Sequence, residues 1–120
     1  MSEITEYISE ARKNITLKKY HEAASIYEKL GKMFFKTDVK TALNFFKLAV
    51  KYYDKSIAEY DKARKLVEAA NCSECIGRIY KKWFNDAATA TDYFISATKY
   101  MIKASKMNLG YKNGDKTNKV

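Results

Sequence analysis

The chain has 120 residues, no proline, 47% apolar and 31% charged residues, which is the length and composition of one small helical domain. No apolar run is long enough to cross a bilayer, and the first residues lack the layout of a signal peptide, so we expect a cytoplasmic protein with no membrane span. Two cysteines cannot form a disulfide framework, which excludes the small disulfide-stabilised class. The formal net charge of +9 remains as a functional signal.

The first two predicted helices cover residues 2–15 and 18–35. Ser2 is the expected N-cap of the first helix, whose apolar residues recur at spacings of three and four and so share one face. In the second helix Gly31 lies on the apolar face, although glycine costs about 1 kcal/mol relative to alanine there. We therefore expect a neighbouring helix to approach closely at Gly31.

Asp38 is the expected N-cap of a third helix that ends near residues 53–55. Its apolar residues cover more than half of the circumference, which predicts a helix placed between neighbours. The polar residues that remain form one narrow stripe, and we predict that any partner binds there: Lys40, Asn44, Lys47, Lys51 and Lys55.

Two capping-box spacings follow. Ser56 and Glu59 predict the start of a fourth helix, and Asn71 with Glu74 favours a break and a fifth helix toward Trp83, an uninterrupted helix being the alternative.

Asn85 is the expected cap of the last helix, which covers residues 86–107 and ends with Gly110 as a left-handed C-cap. We therefore predict a single domain at residues 1–108 and a flexible basic tail at 109–120.

One pattern recurs in these helices: an alanine, a bulky residue four positions later, and a small or apolar residue three after that. Such offsets share one helix face and predict close packing between antiparallel helices. The pattern occurs at Ala23, Tyr27, Leu30; Ala42, Phe46, Ala49; Ala63, Val67, Ala70; and Ala90, Phe94, Ala97. The wider predicted core is Tyr7, Ala11, Ala23, Tyr27, Phe34, Ala42, Phe46, Ala49, Tyr53, Val67, Ile79, Trp83, Phe94 and Met101. We expect an all-α antiparallel stack of five or six helices.

The first of these helices also resemble a known repeat. An aromatic and a small residue, followed by small, aromatic and apolar residues, fall at tetratricopeptide spacings: Tyr7, Ala11, Tyr20, Ala23, Tyr27 and Leu30. Residues 38–55 and 60–72 look more like the longer helices of alpha-SNAP-type attachment proteins, and residues 7–34 are also similar to microtubule-interacting-and-trafficking domains. The tetratricopeptide resemblance implies right-handed helical hairpins that bind a protein or peptide without catalysis or cofactor. Without proline or a 34-residue unit, no regular superhelical array is expected.

The residues that could support chemistry have structural explanations. Cys72 and Cys75 have the spacing of half a zinc site or a redox dithiol, but they share a helix face with Ile76 and Ile79, which favours burial in the core. His21 is expected on the polar side of its helix in a solvated or capping role. We therefore predict no enzyme and no metal.

The charge is uneven: residues 17–55 and 72–120 each sum to +5, whereas residues 1–16 sum to −1. Lys99, Lys103 and Lys106 line one face of the last helix. This distribution indicates an interaction or adaptor module for a peptide or an acidic segment of a partner protein, the alternative being nucleic-acid binding by a lysine-rich surface. Lysine outnumbers arginine, which disfavours nucleic acid.

Two further expectations concern surfaces. The apolar positions of the third and last helices exceed what one domain covers, so a homodimer is an alternative. The positive charge allows attraction to a membrane surface, but no predicted helix combines basic residues with a strongly exposed apolar face.

Overall fold

Five helices make up the described chain, and each packs mainly against its neighbours in sequence. The computed structural model describes the backbone of residues 2–119 and the side chains of residues 2–108. The helices are α1 (Glu3–Thr16), α2 (Tyr20–Phe34), α3 (Val39–Lys62), α4 (Leu66–Lys82) and α5 (Ala87–Lys119), and no strand occurs among the described residues. The most extensive contacts are those of α2 with α3 and of α4 with α5. None of the described helices is long and apolar enough to span a membrane.

Short polar side chains begin three of the helices. Ser2 accepts a hydrogen bond from the Thr5 amide at 3.2 Å, and Asp38 accepts one from the Thr41 amide at 3.1 Å, which confirms both predicted caps. The last helix differs, because Asp86 rather than Asn85 accepts the bond from the Thr89 amide, at 3.0 Å. Asn85 adopts a left-handed conformation, with φ of 52°, and so belongs to the turn before the cap.

The predicted boundaries of the third and fourth helices were wrong. α3 continues through Ser56 to Lys62, and α4 passes through Asn71 without a break. Ser56 is buried, and its hydroxyl donates to the Tyr52 carbonyl at 3.0 Å, so it is satisfied inside the helix instead of at a cap. The chain reverses at Arg64, which adopts a left-handed φ of 61° although it is not a glycine.

Most of the predicted core is buried or half-buried, with two exceptions. Val67 is 45% exposed, because α4 starts at Leu66 and places Val67 on the outer side of its first turn. The pattern at Ala63, Val67 and Ala70 is therefore not a helix face, since a turn interrupts it. Met101 is 48% exposed, because no described helix covers the outer face of α5.

Two glycines allow close helix contacts. A Cβ atom at Gly31 would lie 2.8 Å from the ring of Phe46, and one at Gly77 would lie 2.6 Å from Cε1 of Phe94. Real Cβ atoms do not approach other atoms so closely, so both positions need glycine unless the ring moves. The expected close approach at Gly31 is confirmed.

The two glycine contacts are part of a larger internal repeat. Gly31 and Gly77 lie 46 residues apart, and Phe46 and Phe94 lie 48 apart, because α4 is longer than α2 by two residues. Further features recur at the same offsets: the left-handed turn residues Lys18 and Arg64, the ion pairs Glu28–Lys32 and Glu74–Arg78, and the caps Asp38–Thr41 and Asp86–Thr89. The α2–α3 and α4–α5 pairs are therefore equivalent units.

The last helix extends to Lys119, beyond the predicted end near Met107. The helix passes through Gly110, so the left-handed C-cap predicted there was wrong. The side chains of residues 109–120 lie outside the described residues, so the flexible basic tail stays a prediction.

Candidate functional site

The polar stripe predicted from the sequence lies on the outside of α3. Its five residues are all exposed, and we call them the α3 lysine face: Lys40, Asn44, Lys47, Lys51 and Lys55. Two of the ammonium groups contact aromatic rings at the α2–α3 seam. Lys55 Nζ lies 5.3 Å from the ring centroid of Tyr20, and Lys51 Nζ lies 5.4 Å from that of Tyr52. These cation–π contacts stabilise the positions of two of the four ammonium groups.

Five aromatic rings stack in sequence along that seam. Successive centroids are 5.6–6.2 Å apart, and the interplanar angles are 17–26°, in the order Tyr20, Tyr52, Tyr27, Phe45 and Phe34. Offset stacking at these distances stabilises the α2–α3 pair. Since the rings pack on one another, they are not free platforms for nucleic-acid bases.

A second surface is an open groove of about 760 Å³ between α4 and α5, which we call the α5 groove. Its lining from α5 includes Phe94, Met101 and Ile102, and its lining from α4 includes Ala70 and Glu74. Ile102 is 50% exposed, and Ile95 beside the groove is about equally exposed. The α5 groove is therefore a place where apolar side chains face solvent in the described structure.

Charge surrounds this apolar floor unequally. Glu74 on the α4 side is paired with Arg78 at 2.9 Å, so that wall has little net charge. On the other side Lys106 lines the groove, and Lys99 lines the adjoining depression over Ile95. α5 thus combines exposed apolar residues with lysines, and the expectation that no helix would do so was wrong.

The cysteines lie in the core rather than at a reactive site. Cys72 is buried and Cys75 half-buried, and both are free thiols. Burial raises the pKa of Cys72 to about 12, and burial also raises the pKa of Cys75, although Arg78 partly opposes it. Neither thiol is therefore poised as a nucleophile. Among the residues whose side chains are described, no group of three or more His, Cys, Asp or Glu could hold a metal ion.

His21 differs from its expected solvated or capping role. It is half-buried between α2 and α3, where its Nδ1 lies 3.3 Å from the Tyr60 hydroxyl and its ring lies 5.8 Å from that of Tyr53. A histidine placed this way joins a packed aromatic cluster, and it also lines a small depression of about 170 Å³ between the start of α2 and α3.

Sequence reasoning named the groove lysines but not the groove. The sequence pattern gives no signal for Ile95 and Ile102, and it predicts Met101 to be a core residue. The sequence does contain a signal for the internal repeat that exposes this difference. At an offset of 46 residues, Ala69, Ser73 and Ile76 correspond to the pattern at Ala23, Tyr27 and Leu30. Ser73 hides that relationship, because it stands where the first unit has an aromatic residue.

Comparison with known proteins adds no assignment. No protein-family model matches the chain, and no curated protein or solved structure matches it. The resemblance to tetratricopeptide repeats therefore stays a prediction.

Proposed function

We propose that the protein is a non-catalytic interaction module that binds an acidic segment of a partner protein in the α5 groove. The observation that carries the proposal is the exposure of Met101 and Ile102 beside Lys106. Burial of such apolar surface on binding stabilises a complex, and the neighbouring lysines favour a partner that carries carboxylates. The repeated helix pairs support a tetratricopeptide-like interaction architecture, and the raised thiol pKa values argue against nucleophilic chemistry at the two cysteines.

The α3 lysine face has a secondary role in this proposal. Its side chains are exposed and none of them lines the α5 groove, so in this proposal they supply long-range attraction more than contact area. Positive surfaces raise the association rate with acidic partners, and the effect weakens as salt screens the charges. Reversal of the four lysines should therefore slow association without abolishing binding.

Site-specific photo-crosslinking tests the proposal. A photoreactive amino acid at position 102 should crosslink, in cells that express the protein, to segments of other proteins that are rich in Asp and Glu. The same group at Ser9, on the exposed side of α1, is the matched control and should not give those crosslinks. Identical products from both positions, or peptides without acidic residues, would contradict the proposal.

Nucleic acid is the competing outcome. If it were the ligand, the crosslinked material would contain RNA or DNA, and affinity for an oligonucleotide would fall steeply with salt concentration. The Lys40→Glu, Lys47→Glu, Lys51→Glu and Lys55→Glu variant should then lose binding completely.

A further inference from the structure

Comparison of the two equivalent helix pairs shows that a helix covers the first pair at the position of the α5 groove in the second. In the first helix pair the face that carries Phe46 and Tyr53 is covered by α4 and by Trp83, which directly follows it. The ring of Trp83 stacks on Phe46 with centroids 4.7 Å apart. Tyr53 is only 2% exposed, and its hydroxyl donates to Glu28 at 2.7 Å.

The equivalent positions of the second pair are Phe94, Met101 and Glu74, and these line the α5 groove. Met101 is 48% exposed where its counterpart Tyr53 is buried. The groove therefore corresponds to the space that α4 fills on the α2–α3 pair.

The outer faces of α1 and α5 differ in polarity. The outer surface of α1 is polar, and the shallow depression on it is lined by Thr5, Glu6, Ser9, Glu10 and Lys13. A helical stack needs such a polar face where it meets solvent. The outer surface of α5 instead exposes Ile95, Met101 and Ile102. The outer face of α1 is thus polar, whereas that of α5 is partly apolar.

We infer that the α5 groove binds one amphipathic α-helix of the partner protein, in the place that α4 takes on the first helix pair. The inference rests on the proposed function and specifies the form of the acidic segment. The helix lays its apolar side on Phe94, Met101 and Ile102, and its carboxylates face Lys99 and Lys106. The groove residues from Phe94 to Lys106 cover three to four helical turns of α5, so an occupant of about 14 residues matches it.

Charge favours a foreign helix over a second copy of this chain. Each copy carries a net charge of +9, so two copies repel one another. The acidic helix of the chain, α1, turns Ala11 and its other apolar residues inward against its own core. The concave shape of the site fits a convex helix better than a flat membrane surface.

Three fluorescent peptides of 16 residues test the inference by anisotropy. The helix peptide has leucines at spacings of three and four with glutamates beside them, the proline peptide has two central prolines in the same composition, and the lysine peptide has lysine at every glutamate. We expect the helix peptide to bind at least about tenfold more tightly than the other two. Ile102→Glu should weaken that binding by about tenfold or more.

Val39→Glu is the matched control, because Val39 is also 50% exposed but lies at the start of α3. It should leave the affinity for the helix peptide unchanged, and circular dichroism should show both variants folded. Equal binding of the helix and proline peptides would overturn the helix inference and leave the proposed function standing. Binding of neither peptide would overturn both.

Two other results would also contradict the inference. Vesicles of phosphatidylcholine with a quarter phosphatidylserine that bind wild type but not Ile102→Glu, while the helix peptide does not bind, would assign the face to a membrane. A concentration-dependent dimer that Ile102→Glu dissociates would assign it to a second copy.

Discussion

The ring of Phe46 lies against the backbone of Gly31, so that a Cβ atom there would stand 2.8 Å from three ring carbons. Trp83 stacks on the same ring, and Phe46 has no exposed surface. Phe46 therefore cannot move away from a larger residue at position 31. Phe94 has the same relationship to Gly77, but it borders the open α5 groove.

This difference predicts different outcomes for Gly31→Ala and Gly77→Ala. Alanine gains about 1 kcal/mol in helix propensity at either site. At position 31 overpacking against a fixed ring costs about 1–3 kcal/mol, so we expect a net loss of stability. At position 77 Phe94 can rotate toward the groove, and we expect a free energy of unfolding within about 0.5 kcal/mol of wild type, or higher.

Urea denaturation, followed by the fluorescence of Trp83, measures both values. The two variants serve as controls for each other, since both sites are buried helical glycines. A large loss in Gly77→Ala would mean that the ring of Phe94 is held in place, which is incompatible with an open groove.

A second prediction concerns Tyr53 and Met101, which occupy equivalent positions in the two helix pairs. Tyr53→Ala should lower the free energy of unfolding by about 3 kcal/mol, because it empties a buried site and leaves Glu28 without its hydroxyl donor. The double variant Met101→Gln and Ile102→Gln should change it by no more than about 0.5 kcal/mol, because both side chains already face solvent.

Chemical denaturation at two protein concentrations distinguishes these effects. A loss above about 1 kcal/mol in the double variant would show that its residues are covered in the free protein. If that loss grew with concentration, a dimer interface would be the cause.

The sequence predicted an all-helical chain and the caps at Ser2 and Asp38 because these depend on local chemistry. Ser2 and Asp38 cap helices wherever the following amides point toward them, and periodic apolar residues identify most of the core. The predicted boundary between the third and fourth helices was wrong because tertiary packing, and not local chemistry, sets it. The chain reverses at Arg64, where neither glycine nor proline marks a turn. The spacing of Ser56 and Glu59 predicted the start of a helix, but Ser56 lies inside α3 and its hydroxyl donates to a backbone carbonyl there.

The groove could not be predicted for a different reason. An apolar residue such as Met101 has the same helical spacing whether or not another helix covers it, so periodicity assigns it to the core. Only the arrangement of the whole stack shows that α5 is its last described member and that its outer face is uncovered. The α3 lysine face was predictable, because lysines share a narrow stripe whenever the opposite side of a helix is apolar.

The thiols provide a third prediction. At pH 8 iodoacetamide should modify neither cysteine quickly in the folded protein, because burial raises the pKa of both and keeps them as thiols. Cys72 should react more slowly than Cys75, since it is fully buried while Cys75 is half-buried. Mass spectrometry after timed quenching measures each rate, and the guanidinium-unfolded protein is the control in which both should react. Rapid modification of Cys72 in the folded protein would contradict its place in the core.

The last prediction concerns acid. Hydrogen bonds from the Thr41 and Thr89 hydroxyls and amides lower the pKa of Asp38 and Asp86 below the ordinary value of 3.8. A carboxylate whose pKa is lower in the folded state stabilises that state above its unfolded pKa, and the contribution disappears as pH falls through the folded value. We therefore expect the free energy of unfolding to decrease as pH drops below about 4, through loss of these two caps.

The double variant Asp38→Asn and Asp86→Asn isolates this effect, because asparagine caps a helix at every pH. Its stability should change less between pH 5 and pH 3 than that of wild type when measured by urea denaturation. Asp54 acts in the opposite direction, since burial raises its pKa above the ordinary value and its protonation favours the folded state. The free energy of unfolding of Asp54→Asn should therefore fall more steeply with decreasing pH than that of wild type. If the double variant lost as much stability between pH 5 and pH 3 as wild type, other carboxylates would control the acid sensitivity.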